Sequence, residues 1–318
     1  MRQKPPAAEA GPAQAEWASR PERSNLAMMR LMTWISLRLG RPAGRVVLYG
    51  IAAYFLASSA AARRSSRHYL RRALGRRPGW GDLFRHFLDF ASTIHDRVYL
   101  LNDRFDPFNI VVQGEGLLAE AVCRGEGILL MGAHMGSFEV IRAVGRHQPG
   151  LRVAMLMYED NARKLNAMLA AINPQAQQEV IALGQVGAML KVRDRLEDGT
   201  LVGLLGDRTL GGEPTLPVLF LDALAPLPVG PFRLAALLGR PVVFMVGLYL
   251  GGNRYEIHFE PLADFSATPP AEREAAVAAA MQRYAALLDG YCRSAPYNWF
   301  NFFDFWAMPE TPGSAGPV

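Results

Sequence analysis

The sequence predicts an α/β protein in which a mixed β-sheet is flanked by helices, with a membrane-associated helical module at the N-terminal side. Three observations carry this. From residue 109 onward, short apolar runs of strand length alternate with stretches of helical period, the signature of a layered α/β domain. The 318 residues are 50% hydrophobic, enough for a full core and too many for a disordered chain. The two cysteines, Cys123 and Cys292, cannot form a disulfide framework and fit a reducing compartment.

Residues 1–16 are rich in Pro, Ala and Gly without an apolar period and read as a disordered lead-in, with no signal-peptide pattern. The basic, membrane-associated helical module occupies 17–100. Within 25–39, Leu26, Met29, Met32, Trp34, Ile35 and Leu39 form one stripe of an amphipathic helix that Gly40, Pro42 and Gly44 are expected to end. Val46–Ala62 runs seventeen residues without a charge. At ~1.5 Å per residue it falls just short of a ~30 Å hydrocarbon core, so spanning and lying in the interface both stay open. Arg63, Arg64, Arg67, Arg71, Arg72, Arg76 and Arg77 follow at once. Between Arg20 and His86 there are fourteen arginines against Glu22 and Asp82, a local charge of +12, and the remainder of the chain sums to −7. That asymmetry predicts a polyanionic partner, and arginines flanking an apolar helix favour anionic membrane lipids over nucleic acid.

The α/β body, 101–310, reads as strand Ile110–Val112, helix Leu117–Cys123, strand Ile128–Met131, a helix from Phe138 to Val144, strand Val153–Met157, and a helix carrying Ala162 to Ile172. Strand Val180–Ala182, helix Val186–Glu197 and the buried strand Leu201–Leu205 come next, then an extended Leu216–Leu221 and helix Pro231–Leu238. Strands Val242–Leu250 and Tyr255–Phe259 flank a Gly251-Gly252-Asn253 hairpin turn, and a long Ala-rich helix fills Pro270–Arg293. Residues 311–318 are a tail.

The most pointed segment is Gly127-Ile-Leu-Leu-Met-Gly-Ala-His134-Met-Gly-Ser-Phe-Glu139. A strand runs into a loop holding a histidine, and a glutamate starts the next helix. His134 and Glu139 are five apart and meet only if the histidine precedes the helix, which a turn at Gly136 permits. A carboxylate beside an imidazole fixes its tautomer and raises its basicity, as a general base requires. Ser137 reads as a helix-capping residue.

This block resembles the H-x4-D/E region of the lysophospholipid acyltransferase superfamily, in particular the bacterial late lipid A acyltransferase-like branch and its subgroup of predicted acyltransferases. Gly206-Asp207-Arg208-Thr209, the strand Leu216–Leu221 and Pro228–Pro241 resemble further blocks of that branch. Thr209, where a second acid is usual, and the aromatic ending Pro296–Trp306 depart from it. The resemblance implies transfer of a fatty or polyene acyl group from a thioester to a hydroxyl or amine of a lipid or glycolipid. His134 would be the base and Glu139 its orienter. Gly136 and Ser137 amides and Arg208 are candidate oxyanion donors, and Asp207, Asn161 and Arg163 complete the substrate-binding set. No cofactor and no metal are implied; the cosubstrate is a thioester of acyl carrier protein or coenzyme A. The expected location is the cytoplasmic face of a bacterial inner membrane, peripheral or single-pass. Hydrolysis of the same thioesters or of lysolipids, and non-catalytic membrane binding, are the alternatives. The other histidines lack metal-type spacing, and no P-loop, H-E-x-x-H or G-x-S-x-G occurs.

Overall fold

A computed structural model describes residues 26–141 and 150–307, apart from 160, 164–166, 168–171, 174–178, 185–186 and 210–212. The lead-in, the tail, the side chains of Leu26, Met29 and Met32, residues 142–144 of the helix expected from Phe138, and most of the helix expected up to Ile172 lie outside the described residues.

Helix α1 (Leu26–Ser58) does not end where the Gly and Pro residues suggested. Gly40, at φ 82° and ψ 169°, kinks it, and the helix resumes with Pro42 inside. Proline is tolerated there because the first turn of a restarted helix has no amide bond for it to break. Gly44 permits close packing, since a Cβ there would lie 2.2 Å from His95 Nε2. After Ser59 the chain bends by 97° into α2 (Ala60–Ala73). Arg63 donates to the carbonyls of Leu56 and Ala57, which α1 leaves unpaired at its end. Helix α3 (Trp80–Leu100) returns along α1, its start tied by the Gly79 amide donating to Asp82 at 2.8 Å.

A seven-stranded sheet follows, in the order β1-β9-β8-β2-β5-β3-β4. Its strands are β1 (Asn109–Gln113), β2 (Leu129–Gly132), β3 (Val153–Tyr158), β4 (Glu179–Leu183), β5 (Leu201–Leu205), β8 (Pro241–Tyr249) and β9 (Arg254–Asp264). All neighbours are parallel except β8 and β9, the hairpin expected around Gly251–Gly252. Helices α4 (Gly116–Arg124), α5 (Ala188–Glu197), α6 (Gly230–Leu238) and α7 (Arg273–Ser294) cover the sheet. Burial on both faces explains the continuous apolar reading of β2, β5 and β8. Leu129 and Met131 point into one core with α2 and α7, and Leu130 into the opposite one with α4. A separate hairpin pairs β6 (Thr215–Phe220) with β7 (Ala223–Pro228). The sequence did not announce β7, because Ala-Leu-Ala-Pro-Leu-Pro has neither the β-branched content nor the alternation of a strand.

Candidate active site

Strands β2 and β5 are adjacent and parallel, with Gly132 opposite Leu205. Two residues beyond each strand stand His134 and Asp207, so the pairing register alone brings them to the same sheet edge. Loops beyond the carboxyl ends of parallel strands are where α/β sheets build their sites. His134 Nδ1 lies 2.8 Å from Asp207 Oδ1, and the His134 amide donates to Oδ2 at 3.0 Å. Asp207 is fully buried and also accepts from Trp299 Nε1 at 3.1 Å and Asn301 Nδ2 at 2.9 Å.

These contacts correct the expected orienter. Glu139 is not bonded to the His134 ring. It sits in the 3-10 turn Glu139–Ile141, where its Oε2 accepts from Ser137 Oγ at 3.0 Å and its Oε1 lies 2.5 Å from Arg97 Nε on α3. Five residues of loop and turn carry its carboxylate toward α3, whereas β5 delivers Asp207 directly under the ring. Ser137 is buried and bonds that carboxylate rather than capping a helix amide.

The two amides expected as oxyanion donors are corrected as well. Gly136 has φ +64° and sits so close to β8 that a Cβ would lie 1.9 Å from the Gly247 carbonyl oxygen. The same approach spends both amides: Gly136 N–H donates to Asn298 O at 2.8 Å and Ser137 N–H to Gly247 O at 2.7 Å. Arg208 follows Asp207, and two of its donors hold the C-terminal segment: Nε to Asn301 Oδ1 at 2.6 Å and Nη2 to Phe300 O at 3.0 Å. Asn161 and Arg163, on helical residues after β3, are not among the contacts of His134 or Asp207.

Sequence reasoning missed the clamp made by residues 298–301. The Asn298 side chain accepts from the Tyr249 amide at 2.7 Å and donates to its carbonyl at 3.0 Å, fixing the segment to β8. Phe300 N–H then donates to His134 O at 2.8 Å. Behind it, the buried His86 on α3 accepts from Ser66 Oγ at 2.8 Å through Nδ1 and donates through Nε2 to Trp299 O at 2.9 Å. Tyr69 of α2 packs on Trp299 with ring centroids 4.9 Å apart. Asparagines in an aromatic ending carry no local signal of such a role.

The electrostatics favour the neutral form of the His134 ring. Burial lowers the basicity of His134, the Arg208 charge lowers it further, and Asp207 opposes both without reversing the direction. Burial pushes the Asp207 carboxyl up, but His134, with Arg208, outweighs this and holds it well below the usual carboxylate range. Burial pushes Arg208 down to about 10, against the opposing charge of Asp207. An ionised Asp207 only accepts, so the proton sits on Nδ1 and Nε2 presents its lone pair. Among the described residues nothing hydrogen-bonds Nε2. Among the described residues no group of three His, Cys, Asp or Glu side chains is arranged to hold a metal ion.

The family model described as bacterial lipid A biosynthesis acyltransferase matches residues 87–307, from α3 through the whole sheet to the C-terminal clamp. No curated protein matches the chain. The chain belongs to the bacterial lipid A biosynthesis acyltransferase family and is an acyltransferase of that type.

Proposed function

We propose that the protein moves an acyl group from a carrier-protein or coenzyme A thioester to a hydroxyl or amine of a lipid or glycolipid, with His134 as general base and Asp207 as its orienting carboxylate. The observation that supports this best is the 2.8 Å Nδ1 contact, which leaves Nε2 as the unprotonated nitrogen. Nε2 takes the acceptor's proton as its oxygen or nitrogen bonds to the thioester carbonyl carbon. The tetrahedral intermediate collapses, the C–S bond breaks, and the departing thiolate recovers the proton from Nε2. Asp207 stays ionised and stabilises the transient imidazolium, the role the third member plays in a triad. No enzyme nucleophile is needed, since the acceptor supplies it.

Arg208 serves this reading in two ways. Its charge adds to burial in favouring the neutral resting ring, and it is a fixed cation at the site where negative charge develops on the carbonyl oxygen. Glu139, through Ser137 and Arg97, holds the loop that carries His134.

Incubation of the purified protein with an acyl thioester and an extracted lipid acceptor, followed by mass spectrometry, tests the reading. An acylated acceptor from the wild type and none from His134→Ala is the expected result. Equal turnover by His134→Ala would refute the base assignment, and free acid without acylated acceptor would identify a hydrolase.

A further inference from the structure

The outer surface of the α1–α2 elbow has a chemistry that catalysis does not use. Along the second half of α1, Gly44, Leu48 and Ala52 recur every four residues and are buried, the spacing of one helix face. The opposite face is apolar and open: Val46 is 74% exposed, Tyr49 57% and Tyr54 61%, with Ala53 and Ala57 exposed beside them. No charge occurs between Arg45 and Arg63. Helix α2, after its 97° bend, buries Ser66, Tyr69, Leu70 and Ala73 and exposes Arg64, Arg67 and Arg71 at three- and four-residue spacing. No acidic residue lies between Glu22 and Asp82 to neutralise them. Trp80 is 66% exposed, with Arg67 5.8 Å above its ring, the pairing of aromatic and cation that suits a headgroup layer.

We propose that this elbow lies in the plane of an anionic bilayer, with the outer face of α1 among the acyl chains and the α2 arginines on the phosphates, and that α1 does not cross. Crossing is opposed by what α1 is bound to. Arg41 holds Asp96 of α3 with two bonds of 2.8 Å, Arg45 reaches it at 2.6 Å, and Arg45 also donates to Tyr249 OH at 3.0 Å. That cluster fixes the start of the uncharged run, and within the run Leu48 and Ala52 are buried while Tyr49 meets Phe84 of α3 at 6.1 Å, so a helix threaded through the hydrocarbon would have to give up its docked face or draw α3 in with it. Lying flat immerses one uncharged face and leaves the docked face on the protein. The geometry also places the site close to the lipid. The inner face of α2 bears on Trp299 through Tyr69 and, by way of Ser66 and His86, on its carbonyl. A lipid acceptor would then reach His134 from the surface on which the enzyme rests.

Binding to vesicles needs no turnover, so the test stands apart from the acyl-transfer reading. The full chain is mixed with preformed phosphatidylcholine vesicles with and without phosphatidylglycerol, and flotation is measured. Wild type should float with the anionic vesicles. Val46→Asp with Tyr54→Asp should cut partition at least about tenfold, and Arg64→Gln with Arg67→Gln and Arg71→Gln on the order of a hundredfold. All five positions are exposed, and unchanged circular dichroism would confirm the fold. Topology is read in a Cys123→Ser background by adding Arg38→Cys or Arg77→Cys singly and labelling with a membrane-impermeant maleimide from outside. Both should react, because both ends of the elbow stay on one side. Protection of either site, or flotation unaffected by both sets of substitutions, would overturn the proposal. So would retained flotation with loss of binding to an acidic acyl carrier protein.

Discussion

Four hydrogen bonds converge on the Asp207 carboxylate, two of them from one residue, His134. Replacing the anion by its amide in Asp207→Asn keeps the shape but removes both the preference for Nδ1–H and the charge facing the imidazolium. We expect kcat to fall about 10³–10⁴-fold; a loss under tenfold in steady-state assays would show that another group orients the ring. The depressed basicity of His134 has its own signature. Because the base proposed here must be neutral to accept a proton, kcat/KM should hold steady through neutral pH and fall only below the ordinary histidine range of about 6.5. Arg208→Gln removes a cation that lowers the ring's basicity, so the acid limb should move to higher pH. Glu139→Gln should reduce activity without moving that limb, since its carboxylate bonds Ser137 and Arg97 rather than the ring. A pH–rate profile of the three proteins decides. The place of His134 just past a strand was legible because its sequence context is local. The contact of Asp207 with the His134 ring was not legible, because this pairing spans 73 positions and is created by strand order. Nothing in the local pattern of Gly136-Ser137 showed that β8 and the C-terminal segment would consume their amides.

At the scale of elements, strands buried on both faces and bounded by turns were the easiest to read, and Leu201–Leu205 matches residue for residue. Where the pattern misled, packing had overridden it: α1 continues past Gly40 because α3 gives its second half a surface to lie on. The segment from Pro296 to Trp306 shows the limit most clearly. It has no regular period, yet it closes the site, with Trp299 fully buried among Tyr69, Phe220 and Phe305. Its link to α3 is pH-sensitive. Burial pushes His86 down to about 4, against the opposing bond to Trp299 O. The neutral ring is therefore native, while the unfolded chain takes up a proton near 6.5. Stability from this source is complete above about pH 6.5 and drains away as pH falls toward 4, by on the order of 3 kcal/mol. Urea unfolding at pH 7.5 and 4.5 should show this slope in the wild type and a flatter one in His86→Gln. Identical slopes would remove His86 as the cause.

For the whole molecule, the charge asymmetry divides into two populations with different work. Arg64, Arg67 and Arg71 face outward, while Arg41 and Arg45 turn inward onto Asp96, which also accepts from Tyr255 OH of β9 at 2.8 Å. That one carboxylate joins α1, α3 and the sheet, so the basic helices and the α/β body should unfold in one transition rather than two. Burial pushes the Asp96 carboxyl up, but Arg41, His95 and Arg45 outweigh it and hold it below the usual range. A lowered folded value means its contribution is present above about pH 4 and is lost as pH falls further, a window below the one set by His86. Asp96→Asn leaves two arginines facing each other without a counter-charge. Each is less than a fifth exposed, so solvent relieves only part of the cost, and a loss of about 2–4 kcal/mol is expected. Calorimetry should find a single lowered transition for Asp96→Asn. Two separate transitions in the wild type, or an unchanged midpoint in the variant, would mean that the module and the body are held together elsewhere.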